Sequence, residues 1–215
     1  MRRVGEFAKA KGLSRARAYR LVRSGAIPAH QLPDGSFILD EAAMDWEPRA
    51  ARPLSKSMAW GLLSALDGKM QPGLRSAERS RIKRHIAFIA EADSPARELA
   101  AKVSARADLK EFAAHRNDVS KVRSDARVHL SGVGAPGSRM MAGDVVEGYV
   151  DAEDLEGLCD DYLLRERPGG NVRLRVGEVR EVGRAALAVD LADWGRAREM
   201  REANRIIHEL LQEMP

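Results

Sequence analysis

The tripeptide Gly12-Leu13-Ser14 constrains the fold of this chain more than any other short segment. Glycine takes the left-handed conformation that closes a helix, and a serine hydroxyl caps the amides that open the next one. The break therefore predicts a helix over residues 4–11, a tight turn, and a second helix beginning after Ser14. Val4, Phe7 and Ala8 on the first helix, and Ala18, Leu21 and Val22 on the second, recur at spacings of three and four, so each helix has one stripe to bury. Gly25 closes the second helix. Beyond it, the runs 27–32 and 36–39 flank Pro33-Asp34-Gly35, and Asp-Gly between short apolar runs predicts a β-hairpin. Asp40 is placed to cap a short helix through Trp46, ended by Pro48.

The charge on this segment narrows its partner. Residues 1–32 hold eight cations (Arg2, Arg3, Lys9, Lys11, Arg15, Arg17, Arg20 and Arg23) against one acid, Glu6, a density that attracts phosphate. A helix entering the major groove N-terminus first meets base edges with its first two turns and phosphates with its flanks. With Ala18, Leu21 and Val22 turned inward, Arg15, Arg17, Tyr19, Arg20 and Arg23 cover the rest of the second helix. Arginine can donate two hydrogen bonds to guanine, so Arg15 and Arg17 are the expected base readers; Arg20, Arg23, Lys9 and Lys11 are the expected phosphate clamps. A charged face that meets only solvent is the alternative at this stage.

The run Leu13-Ser14-Arg15-Ala16-Arg17-Ala18-Tyr19-Arg20-Leu21-Val22-Arg23-Ser24-Gly25-Ala26-Ile27-Pro28, followed by Asp34-Gly35 and Trp46, resembles the excisionase and MerR-type winged helix-turn-helix domain. The resemblance covers residues 4–47. It implies major-groove docking by Ser14 to Arg23, Ala18 included, and minor-groove or backbone contact by a wing around His30, Gln31, Gly35 and Ser36. Phe37-Ile38-Leu39-Asp40 departs from the pattern, being apolar and acidic where relatives commonly carry arginines. Over most of the chain, Arg52-Pro53-Leu54-Ser55-Lys56-Ser57-Met58-Ala59-Trp60, Ser76-Ala77-Glu78-Arg79-Ser80-Arg81, Val128-His129-Leu130-Ser131-Gly132, Gly148-Tyr149-Val150 and Asn171-Val172-Arg173-Leu174 resemble actinobacterial AbiEi-like antitoxin regulators paired with nucleotidyltransferase toxins. That likeness implies a repressor of its own operon that neutralises a toxin. An excisionase-type architectural factor, bending DNA for recombination, is the alternative.

The remainder reads as two further modules, for an overall α+β class that is mostly helical. A linker at 48–53 precedes a helical region, 54–130: a helix from the Ser55 cap to about Asp67, a basic helix from Ser76 to about Ala92, a helix opened by Ser94-Pro95, and a last one from Val119 to about Leu130. Arg79, Arg81, Lys83 and Arg84 make the basic helix a candidate second DNA contact. After a Gly-rich loop at 131–143, a small mixed module at 144–215 is expected. Its parts are a strand at 145–150, an acidic helix at 152–164 capped by Asp151, an alternating strand at 171–176, a strand at 185–191 and a C-terminal helix at 196–213. Residues 1–142 carry a net charge of +11 and residues 143–215 a net charge of −7, which points to duplex DNA at the front and a protein partner, such as a toxin, at the acidic back. The C-terminal stripe of Met200, Ala203, Ile207, Leu210 and Leu211 reads as core, with a homodimer seam as the alternative.

Other chemistry finds little purchase. Cys159 is the single cysteine, so neither an intrachain disulfide nor a CxxC zinc site can form, and Leu155, Leu158 and Leu163 place it on an apolar stripe. His30, His85, His115, His129 and His208 lack metal-ligand spacing. Gly132-Val133-Gly134-Ala135-Pro136-Gly137 matches GxGxxG, but no room remains for the crossover helix of a dinucleotide-binding unit before the next strand, and Pro136 lacks an N–H. A nucleotide-dependent enzyme using residues 132–151 is therefore the third reading. No catalytic residue, metal or cofactor is expected. The start carries no apolar leader and no apolar run is long enough to span a bilayer, so the expected location is the cytoplasm.

Overall fold

The computed structural model describes residues 2–11, 13–23, 27–39, 43, 52–70, 73–140, 143–178 and 181–214. The chain is an α+β protein that divides into two compact units, Met1–Ala50 and Ala51–Pro215.

In the first unit, β1 (Arg2–Arg3) leads directly into α1 (Val4–Ala10), and α2 (Arg15–Arg23) follows after a short turn. The expected break is present: Leu13 donates its N–H to the Ala8 carbonyl at 2.8 Å, and the Ser14 hydroxyl accepts from the Arg17 N–H at 3.3 Å. Val4, Phe7, Ala8, Ala18 and Val22 are buried together with Ile27, Leu39 and Ala43. The hairpin consists of β2 (Ala29–Gln31) and β3 (Phe37–Leu39), turned by Gly35 at φ +81°. One strand was not expected. β1 pairs antiparallel with β3, which makes β3 the central strand in the order β1-β3-β2. Its apolar composition follows: a central strand needs side chains that pack, and Leu39 is completely buried. The short helix expected from Asp40 to Trp46 lies outside the described residues except for Ala43, which is buried.

The second unit joins what the sequence divides. The expected helical region 54–130 and mixed module 144–215 form one body, because β4 (Asp108–Ala113) lies in the same sheet as β5 (His129–Leu130), β6 (Val146–Asp151), β7 (Arg165–Glu166) and β8 (Val172–Gly177). The order is β5-β6-β8-β4-β7, with β6 and β8 parallel and the other pairs antiparallel. Phe112, Val146, Val150, Val172, Leu174 and Val176 pack beneath α6 (Val119–Ser124) and α7 (Leu155–Asp161). The opposite face lies under a helical layer of α3 (Lys56–Leu66), α4 (Ser76–Ala90), α5 (Pro95–Val103), α8 (Arg184–Ala192) and α9 (Ala197–Glu213).

The strands β4 and β7 were not expected, and four further readings differ from the structure. The helix expected to reach Leu130 stops at Ser124, because His129 and Leu130 pair with Tyr149 and Gly148. Residues 185–191 are helix, not strand; α8 is enclosed on nearly all sides, so its apolar run shows no periodicity to tell the two apart. Asp151 ends β6 instead of capping α7, whose N-cap is Asp154. Leu163 sits in the left-handed region at φ 50° and is 80% exposed, so it leaves the stripe of Cys159, which is itself only partly buried.

Candidate nucleic-acid interface

The basic face of the first unit is built on α2. No carboxylate occurs in the helix; Ala18 and Val22 are buried and Leu21 is half-buried, which leaves Ser14, Arg15, Arg17, Tyr19, Arg20 and Arg23 exposed. At about 100° per residue, Arg20 lies nearly opposite Ala18, with Arg17 and Tyr19 on the two flanks. The Arg15 guanidinium lies over α1 instead of projecting outward: its Nε is 3.6 Å from the position a Cβ on Gly5 would take. Tyr19 leans to the hairpin and meets Phe37 edge to face, with ring centroids 6.5 Å apart. Lys9 is exposed and Lys11 half-buried at the end of α1. The face most open to a groove therefore consists of Arg17, Arg20 and Arg23, with Arg15 drawn back.

The hairpin tip is less available than its sequence implies. His30, Gln31 and Gly35 are exposed, but the Ser36 amide and hydroxyl both donate to Asp34 Oδ1, at 2.9 and 2.6 Å. These hydrogen bonds lower the pKa of Asp34, keeping a negative charge at the tip.

In the second unit, the front-to-back charge asymmetry is partly consumed within the fold. Lys69 pairs with Glu181, Lys110 with Glu166, Arg127 with Asp161, and Arg106 with both Asp190 and Asp193. The innermost of these pairs belong to a buried network between the sheet and α8. Arg175 donates to Glu147 at 2.9 Å and to Asp193 at 2.8 Å; Arg106 donates to Tyr149 at 2.9 Å, and Tyr149 to Asp190 at 3.0 Å. Burial and then the Asp190 charge raise the pKa of Tyr149, so it stays a neutral donor. Burial also raises that of Glu147 against the pull of Arg175, whereas for Asp193 Arg106 and Arg175 outweigh burial and hold the pKa low.

The glycines of the GxGxxG match serve this network. A Cβ on Gly132 would fall 2.1 Å from Glu147 Oε2, and one on Gly134 2.8 Å from the Glu147 carbonyl oxygen. The Val133 amide donates to Glu147, the Gly134 amide to Ser131 and the Ala135 amide to Gly132, so these N–H groups are already committed. A cavity of about 460 Å³ opens beside Trp194, but Arg173, Arg196 and Arg198 in its lining are matched by Glu111, Asp144 and Glu199, so charge gives it no preference for phosphate. Among the described residues no His, Cys, Asp and Glu side chains cluster as metal ligands, and no helix is long and apolar enough to cross a membrane.

The basic helix α4 sorts its four expected contacts. Arg79 donates Nε to the Leu74 carbonyl at 3.0 Å, and Lys83 borders a groove with Leu66, Ile86 and Leu210. Arg81 and Arg84 are exposed without an ion pair among the described residues. Lys102 of α5, which sequence reasoning left out, joins them by placing its ammonium 4.4 Å from the centroid of Phe88. It lies 18 residues beyond Arg84 on another helix, and no sequence periodicity links the two.

Comparison with protein-family models, curated proteins and solved structures finds no match to this chain.

Proposed function

We propose that this chain is a sequence-specific DNA-binding transcriptional regulator that inserts α2 into the major groove. The observation that carries the reading is the composition of the exposed surface of α2: Arg17, Arg20 and Arg23 are presented from a helix without a carboxylate, held by the buried Ala18 and Val22. A solvated face on a small domain ordinarily mixes both signs of charge, whereas a face of one sign with a short turn behind it suits a polyanion. Arg17 and Arg20 take the base edges in this reading, and Arg23, Lys9 and the retracted Arg15 take phosphates. His30, Gln31 and Gly35 are the wing contacts, with Ser36 occupied by Asp34.

Repression of its own operon is the regulatory role we attach to this activity, on the resemblance to AbiEi-like regulators. Toxin binding through the back third has less electrostatic support, since acids there already pair with cations from residues 54–130. Footprinting of the full chain on the DNA upstream of its own gene tests the proposal. A discrete protected site, lost on unrelated DNA, is the expected result. Absence of protection at about 10⁻⁶ M protein, where sequence-specific regulators are saturated, would overturn it. A strong bend at the site without an effect on transcription would assign the architectural role instead.

A further inference from the structure

We propose that the α4–α5 face of the second unit is a second phosphate-binding surface, which grips duplex DNA without reading its sequence. This inference rests on the DNA-binding reading of α2 and extends it to the other unit.

Arg81, Arg84 and Phe88 recur at spacings of three and four and so share one face of α4, while Ile82 and Ile89 are buried beneath. The packing of α5 on α4 adds Lys102 to that face. His85 sits among them. Its pKa is lowered, first by burial and then by Lys102, Arg81 and Arg84, which places all three cations within electrostatic range of one ring. The buried Nε2 of His85 has no hydrogen-bond partner. Three other arginines of this unit do have acids beside them: Arg184 pairs with Glu209 and Glu213, the half-buried Arg205 with Glu202 and Glu209, and the half-buried Arg127 with Asp125 and Asp161. Among the described residues Arg81, Arg84 and Lys102 have no such match. Like charges held together on two rigid helices repel, and a polyanion is the ligand that relieves the repulsion.

Phe88 decides between two kinds of polyanion contact. It is 50% exposed, as a base-stacking platform would be, but the Lys102 ammonium covers one face of the ring. The cluster is thus built for a charged backbone and not for splayed bases, which favours duplex over single-stranded DNA.

The experiment is a salt titration of full-length protein on two duplexes of roughly three helical turns, the protected site and an unrelated sequence, read by fluorescence anisotropy. The triple substitution Arg81→Ala, Arg84→Ala and Lys102→Ala is compared with wild type, with Arg81→Lys and Arg84→Lys as a charge-preserving control. Neutralising three phosphate contacts should reduce the slope of log K against log salt by about 2 to 3, equally on both duplexes, with the lysine variant unchanged. An unaltered slope in a triple variant with wild-type circular dichroism would overturn the second surface while leaving the α2 reading intact. Failure of wild type to bind either duplex would overturn both. Binding of poly-L-glutamate as tight as that of DNA, weakened equally by the triple substitution, would reassign the surface to an acidic protein.

Discussion

Arg175 Nη1 donates to Glu147 Oε1 at 2.9 Å, with 2% and 0% of the two side chains exposed. This pair ties β8 to β6 on the sheet face that α8 covers, and Asp190 and Asp193 complete it from α8 and the turn behind it. Removing either partner strands a buried charge, so Arg175→Ala and Glu147→Ala should each lower stability by about 3–5 kcal/mol in urea unfolding. Replacing both together, Arg175→Met with Glu147→Leu, should cost less than the sum of the two. Single losses below about 1 kcal/mol would show that solvent reaches the network.

Two glycines separate close packing from open space. A Cβ on Gly170 would lie 2.1 Å from the Phe112 carbonyl oxygen, which belongs to the backbone of β4 and cannot swing aside. Gly143 has nothing within 4 Å and no positive φ. Gly170→Ala should therefore cost more than about 2 kcal/mol, while Gly143→Ala should be neutral or add up to about 1 kcal/mol by restricting the unfolded chain. Equal melting temperatures for the two variants would contradict this placement of the 169–171 turn.

On the DNA-reading helix, Arg17→Ala should weaken binding to the protected site by about 1–3 kcal/mol and leave unrelated duplexes unaffected. Lys9→Ala should instead reduce the salt slope by about 1 on any sequence. Matching affinities of wild type and Arg17→Ala for both DNAs would refute the docking of α2.

Acid should unfold the second unit through Asp125 and Asp193. The Arg127 side chain donates to Asp125 and holds its carboxyl well below the usual range, and Asp193 is lowered by Arg106 and Arg175 although its side chain is partly buried. A depressed folded pKa contributes stability above the unfolded value of about 3.9, and that stability is lost as pH falls through the folded value. Glu147 has the opposite sign, since its raised pKa favours the folded state at low pH and opposes it as pH rises. The melting temperature should accordingly drop below about pH 4, and Asp125→Asn should lower it at neutral pH while flattening the acid limb. A melting temperature of Asp125→Asn that tracks wild type from neutral pH to about pH 2 would remove Asp125 from that account.

The break before α2 at Leu13-Ser14, the Asp34-Gly35 turn and the Ser55 cap were legible in the sequence because their effects are local: a left-handed glycine in a turn or a hydroxyl at a helix start acts within four residues. The partners of Arg2, Arg3, His129 and Leu130 were not, since strand pairing joins segments whose separation along the chain carries no period. Lys102 was missed beside Arg81 and Arg84 for the same reason.

The alternation in Val172-Arg173-Leu174-Arg175-Val176 shows where the two levels divide. Period two determined by itself that the valines and Leu174 share one face and the arginines the other. Ordinary physical expectation turns the arginines to water, yet Arg173 and Arg175 are 7% and 2% exposed. Only the tertiary structure decided this. The enclosed helix α8 carries Asp190 in its last turn, the partly buried Asp193 follows it, and β6 supplies Glu147, so arginines that could not be buried singly are buried with these carboxylates. Local chemistry writes periodicity and turns into a chain, whereas the side of a sheet that meets water depends on counter-charges brought from strands and helices far along it.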